Sequence, residues 1–118
     1  HIGAVVVAIF IIKASIDIMK PVIMELSDKG APQPQISQID AIAMDVEGVK
    51  EVHSIRSRRC GSGYFVDLHV LVDGNMSVQR GHDIARTVKY QLLDKGPKVL
   101  DVIVHLEPYQ TSSKKNST

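Results

Sequence analysis

Five histidines stand in the 118-residue chain, and His53, His69, His82 and His105 all fall between residues 35 and 109. His69 occupies an interior position of "YFVDLHVLVD", residues 64–73, where apolar and polar side chains alternate. His105 lies in "KVLDVIVHLEP", residues 98–108, with Glu107 two positions on. Residues two apart in a strand point to the same face, so His105 and Glu107 form a His-x-Glu pair, and His69 shares its face with Asp67 and Leu71. Neutral imidazole and carboxylate are the donors that zinc and related divalent ions prefer, and three or four of them from different elements make a site. A half-buried imidazole hydrogen-bonded to a neighbour is the other reading of each histidine. Spacing leaves both open, because His53, His69 and His105 meet only if strand order and register bring them side by side.

Other chemistries find less support. Ser54, Ser57 and Ser62 could be combined with a histidine and Asp67 or Asp101, but none sits in a G-x-S-x-G turn, and no enzyme is expected. Cys60 is the single cysteine, which excludes an internal disulfide and fits a small half-buried residue beside a turn. Arg56, Arg58 and Arg59 could meet anionic lipid or phosphate, and the expected reading is the solvated end of an edge hairpin. The formal net charge is +1, too small to suggest a nucleic-acid field. Tyr64, Phe65, Tyr90 and Tyr109 do not form the paired aromatic motifs of RNA-binding sheets, so no nucleic-acid partner is expected.

The elements that must position the histidines are set by periodicity and punctuation. Ile36, Ile39, Ile42, Ala43 and Val46 recur at helical spacing over residues 35–47, with Pro34 near the start and Gly48 at the C-cap. Residues 49–58 and 64–73 read as a hairpin reversed through "CGSG". Ser77 caps a helix running to about Lys95, with Val78, Ala85, Val88 and Leu92 on one face. Residues 98–108 form the last strand, its faces being Val99, Asp101, Ile103, His105, Glu107 and Leu100, Val102, Val104, Leu106. The order α-β-β-α-β packs two helices on one face of a small sheet, an α+β fold. Its core is small enough that a dimer partner, a metal, or both should help to stabilise it.

Ahead of this module, "IGAVVVAIFII", residues 2–12, is wholly apolar, and Lys13, Ser15 and Asp17 interrupt the apolar residues beyond it. A signal peptide would carry its positive charge before the apolar run. A buried core helix and the cytoplasmic end of a transmembrane helix remain, and residues 1–26 are expected to be the latter, bending at Lys20-Pro21. The chain would then be a fragment. "SDKGAPQPQ" is a linker, assigned to residues 27–34, and the polar tail 110–118 is expected to be disordered.

In this order, "ELSDKGAP", "GVKEVHSIRSRRCGSGYFVDLHVLVD", "SVQRGHDIA" and "VIVHLEP" resemble the C-terminal half of a cation diffusion facilitator, a dimeric membrane exporter of divalent cations. The resemblance extends from the apolar helix to Pro108. It implies a metallochaperone-like, ferredoxin-like cytoplasmic domain that forms a homodimer, with residues 27–118 in the cytoplasm below the inner membrane. It also implies a cytoplasmic site for a divalent metal ion, zinc foremost, at His53, His69, His82, His105 and Glu107. In that set His82 would complete the site or orient a ligand. Glu107 and Leu106 depart from aspartate and polar residues found in some relatives, which points to a mononuclear or weaker site. Asp28 matches an acidic position that pairs with a basic residue of another membrane helix. The transport site would lie on helices outside this sequence, leaving a regulatory role. The rival reading is a soluble α+β metallochaperone or small-molecule sensor with an N-terminal core helix.

Overall fold

A computed structural model describes residues 1–27 and 30–110. Asp28 and the tail from residue 111 onward, with the expectations attached to them, lie outside the described residues. The elements are α1 (Ile2–Leu26), α2 (Gln33–Met44), β1 (Glu51–Cys60), β2 (Gly63–Asp73), α3 (Val78–Lys95) and β3 (Val99–Tyr109). From α2 onward this is the α-β-β-α-β order expected from the sequence. The three strands lie in the order β1-β2-β3, with β1 antiparallel to β2 and β2 parallel to β3. The parallel pair requires a crossover, which α3 provides.

The alternation in β2 decides which face the helices cover. Val66, Leu68, Val70 and Val72 are buried, and they pack with Ile39 and Ala43 of α2, Ile84, Val88 and Leu92 of α3, and Val102 of β3. The odd-numbered residues of β2 therefore face the opposite, uncovered side. Ser77 caps α3 as expected, its hydroxyl accepting from the Arg80 backbone N–H at 3.1 Å.

Three local expectations change. Helix α2 starts and stops earlier than expected, capped by Asp45. Gly48 lies three residues beyond that cap and takes the left-handed φ of +96° that turns the chain toward β1. Val78 is 90% exposed rather than on the core face of α3, whose inward residues are Gly81, Ile84, Val88 and Leu92. The register of β3 against β2 shifts at the first pair, so Val99 packs against the core while Leu100 is exposed. Strict alternation holds only from Asp101 onward.

Helix α1 runs on through Pro21 as one element from Ile2 to Leu26. A proline removes one backbone donor, and along a helix exposed throughout its length no packing depends on that bond.

This packing leads to two expected outcomes. Leu68 is fully buried, so Leu68→Ala should destabilise the domain by about 2–5 kcal/mol in denaturant titration. Lys89 Nζ lies 2.8 Å from Asp101 Oδ1. That hydrogen bond, seconded by the Val102 backbone, holds the Asp101 carboxyl below its ordinary value. A depressed carboxylate pKa contributes stability above the unfolded value, which is lost as pH falls toward the folded value. The melting temperature of Asp101→Asn should therefore lie below that of the unaltered chain at neutral pH, and the two should converge below about pH 3.

Candidate metal centre

Sheet register brings the histidines together. His53 pairs with His69, and His69 with His105, so one imidazole from each strand stands in a single row across the sheet. The row lies on the uncovered face, because each neighbour of His69 along β2, Leu68 and Val70, is buried under the helices. Glu107, two residues beyond His105 on β3, occupies the same face.

On β1 this arrangement depends on an irregularity. His53 pairs with His69 while Arg56 pairs with Asp67, so Ser54 and Ile55 together oppose Leu68. Ser54 has a φ of +51°. The extra residue is a β-bulge, and it lets His53 face outward while Ile55 still packs against the core. Without it, His53 and Ile55, two apart, would have to share a face. Sequence reasoning misses this bulge. Its signal is the pattern Val52-His53-Ser54-Ile55-Arg56, in which the apolar residues are three apart rather than two.

The side chains converge on Glu107. His69 Nδ1 donates to Glu107 Oε1 at 2.5 Å, and His53 Nε2 donates to Oε2 at 3.2 Å. The ring of His105 stacks on that of His69 with centroids 4.8 Å apart and planes at 26°, and the His53 ring meets His69 edge-on at 5.4 Å. The bond from His69, aided by that from His53 and opposed by partial burial, lowers the Glu107 pKa and keeps it an anion. The three groups are a third or more exposed, at 34% for His69, 39% for Glu107 and 43% for His53.

His53, His69 and Glu107 each offer a ligand atom, and all three atoms lie within 4.8 Å of one another. Four donors held about 2.1 Å from a tetrahedral zinc are about 3.4 Å apart. The His69–Glu107 contact would open by about 0.9 Å and the widest pair would close by up to about 1.4 Å, a change that exposed side chains can make by rotation. The ring nitrogens that now donate to Glu107 would have to present lone pairs, so their protons must shift to the other nitrogen or leave. Two imidazoles and a carboxylate, with room for a further ligand, therefore fit a divalent ion of the zinc type.

Two further residues were expected from the sequence. His105 stands beside the trio through its stack on His69 but is not one of its three close donors. His82 is exposed on α3, near Met76, Val78, Leu106 and Pro108, in the helix layer behind the sheet. It is not gathered into the cluster within one protomer, because α3 packs on the face opposite the histidine row. Asp67 shares the face of His69 but lies in the row of Arg56, two residues away along the strand.

Comparison with known proteins agrees with this architecture. Metal tolerance protein C1 of Arabidopsis thaliana is 34% identical over 107 residues, covering 91% of this chain and 23% of the plant protein. The manganese efflux system protein MneP of Bacillus subtilis is 28% identical over 108 residues, covering 92% of this chain and 36% of the bacterial one. The chain thus spans about a quarter to a third of these relatives. Among solved structures, a MamM-CTD variant superposes with a TM-score of 0.64 at 23% identity, over 66% of this chain and 94% of that one. A nickel form of another MamM CTD variant gives the same score over 67% and 100%. The α+β fold expected from the sequence is the fold of those domains. Residues 31–109 match the family described as cation efflux protein, cytoplasmic domain, in keeping with the cytoplasmic placement expected for this segment. The match covers most of the chain, and the chain belongs to the cation efflux family, of which it carries the cytoplasmic domain.

Proposed function

We propose that this chain is the regulatory cytoplasmic domain and last membrane helix of a divalent-cation efflux transporter, and that the domain binds a divalent ion and pairs with a second copy. The observation that carries the reading is the meeting of His53, His69 and Glu107 from three strands at one point of an uncovered sheet face. Zinc is the ion whose preferences the donor set matches best. The nickel form of the MamM CTD and the manganese named for the Bacillus relative are the competing choices.

Helix α1 supports membrane attachment. A core helix would bury its apolar side, whereas Ile9, Phe10 and Ile11 are each 60% exposed or more. Its length, 25 residues at 1.5 Å each, comes to about 37 Å, enough to cross a hydrocarbon core about 30 Å thick.

On binding an ion, Glu107 would give up its hydrogen bonds to His53 and His69, and the three side chains would hold the ion between them. A bound divalent cation would supply positive charge that holds the carboxylate and both lone pairs in one geometry. Because the site is open to solvent at the sheet surface, its closure can favour one packing of two domains over another. The attached helices are then biased by the difference in affinity between the two packings. His82 stands apart from the trio in one protomer, and its part in binding would come through the second copy.

Calorimetric zinc titration of the 118-residue chain in detergent tests this reading. His69→Ala and Glu107→Ala should each weaken binding by tenfold or more, and sedimentation should show a tighter dimer in zinc than in chelator. Unchanged affinity in both variants would contradict the assignment. Imidazole binds metal only when neutral, so affinity should fall as the solution is acidified. Flat affinity between about pH 8 and 5.5 would exclude a mainly histidine site.

A further inference from the structure

A second charged feature lies at the other end of the sheet. Arg56, Arg58 and Arg59 lead into the β1–β2 turn, and none of them is in an ion pair among the described residues. The Arg58 guanidinium carbon lies over Phe65, 5.3 Å from the ring centroid, and Arg59 Nε donates to the Gly61 carbonyl at 3.4 Å. Lys98 joins them from the α3–β3 connection, because its carbonyl accepts from the Tyr64 N–H at 2.8 Å and Tyr64 pairs with Arg59. Two acids lie nearby. Asp101 is taken up by Lys89, and Asp67 stands opposite Arg56, leaving Arg58, Arg59 and Lys98 uncompensated.

The chain itself fixes where this end of the domain sits. Gly30 packs so closely on β1 that a Cβ there would come within 2.7 Å of the Ser57 carbonyl oxygen. The Ala31 N–H donates to Ser57 Oγ at 2.8 Å. Ser57 lies between Arg56 and Arg58. Three residues separate Leu26, the end of α1, from Gly30, and the four Cα-to-Cα steps reach at most about 14 Å. The Gly30 contact point on β1 is thereby held within about that distance of the end of α1, whatever path the intervening residues take, with Arg56 and Arg58 one residue to either side of Ser57. From the His69 row to the Tyr64 row the sheet extends five residues, about 17 Å, so this feature is separate from the histidine cluster.

We propose that the arginine tip of the β1–β2 hairpin contacts anionic phospholipid headgroups of the membrane that α1 crosses. The proposal rests on the reading of α1 as a membrane helix, which supplies the tether. The partner is the headgroup phosphate layer, met by guanidinium groups that suit phosphate geometry and carry no internal counter-ion. The contact would set the angle of the domain against the bilayer independently of metal.

Cys60, exposed at this tip and the only thiol, allows a direct test. The full chain is labelled there with an environment-sensitive fluorophore and reconstituted into nanodiscs of phosphatidylcholine, with or without phosphatidylglycerol. Emission should shift to the blue only with the anionic lipid, and return in about 1 M salt, where the screening length falls to about 3 Å. Arg58→Gln and Arg59→Gln should each lower the lipid-contacting population by about fivefold. A chain that enters both nanodiscs but gives the same emission in each overturns the headgroup contact and leaves the membrane helix standing. An equal shift on adding inorganic phosphate to phosphatidylcholine nanodiscs overturns it in favour of a free-anion site. A chain that enters neither nanodisc removes the membrane reading, and the headgroup contact with it.

Discussion

Burial of one face of β2 fixes the register on which everything else depends. Val66, Leu68, Val70 and Val72 must face the helices, because they are the central strand's contribution to a small core. Their burial forces Phe65, Asp67, His69 and Leu71 to the other side. A slip of one residue in either pairing would set His53 or His105 opposite Leu68 or Val70 and turn it under the helices, so the apolar alternation that stabilises the fold also determines which side chains can meet. Antiparallel pairing then sets His53 beside His69, and parallel pairing sets His105 on its other flank.

The same logic separates rigid from adjustable parts of the molecule. Backbone positions in the histidine row are held by the central strand, while the ligating ends of the side chains are a third or more exposed and held by hydrogen bonds to Glu107. A rigid row with rotatable tips suits a site that changes partners, from a carboxylate–imidazole network to an ion. At the opposite end of the sheet, the Ser57 contact with Gly30 and Ala31 couples the domain to the preceding helix through a short connection. Metal-dependent packing of the domain would therefore be transmitted through β1, the strand that carries both His53 and Ser57.

Much of this is legible in the sequence, and the exceptions have physical causes. The α-β-β-α-β order, the capping by Ser77, and the common face of His105 and Glu107 come from periodicity and side-chain chemistry read locally. The bulge at Ser54 escapes such a reading, because a lone residue with positive φ has no strong local signature outside glycine, and the three-residue spacing of Val52 and Ile55 is a weak signal until pairing with β2 is known. Val78 and Leu100 lie at element ends, where propensity continues a pattern but the neighbouring element no longer covers it. His82 resembles a companion of His69 through shared chemistry. The layer in which α3 packs, which no local pattern specifies, separates the two within one protomer. The proximity of the arginines to the end of α1 likewise depends on a long-range contact, from Ala31 to Ser57.

The central claim is that register, not residue type alone, creates a divalent-ion site from His53, His69 and Glu107. Crystals of the chain grown with zinc and measured on both sides of the zinc absorption edge would test it most directly. An anomalous peak about 2.0 to 2.2 Å from nitrogen atoms of His53 and His69 and an oxygen of Glu107 is the predicted result. A peak placed elsewhere on the domain, with the His69–Glu107 hydrogen bond intact, would contradict it.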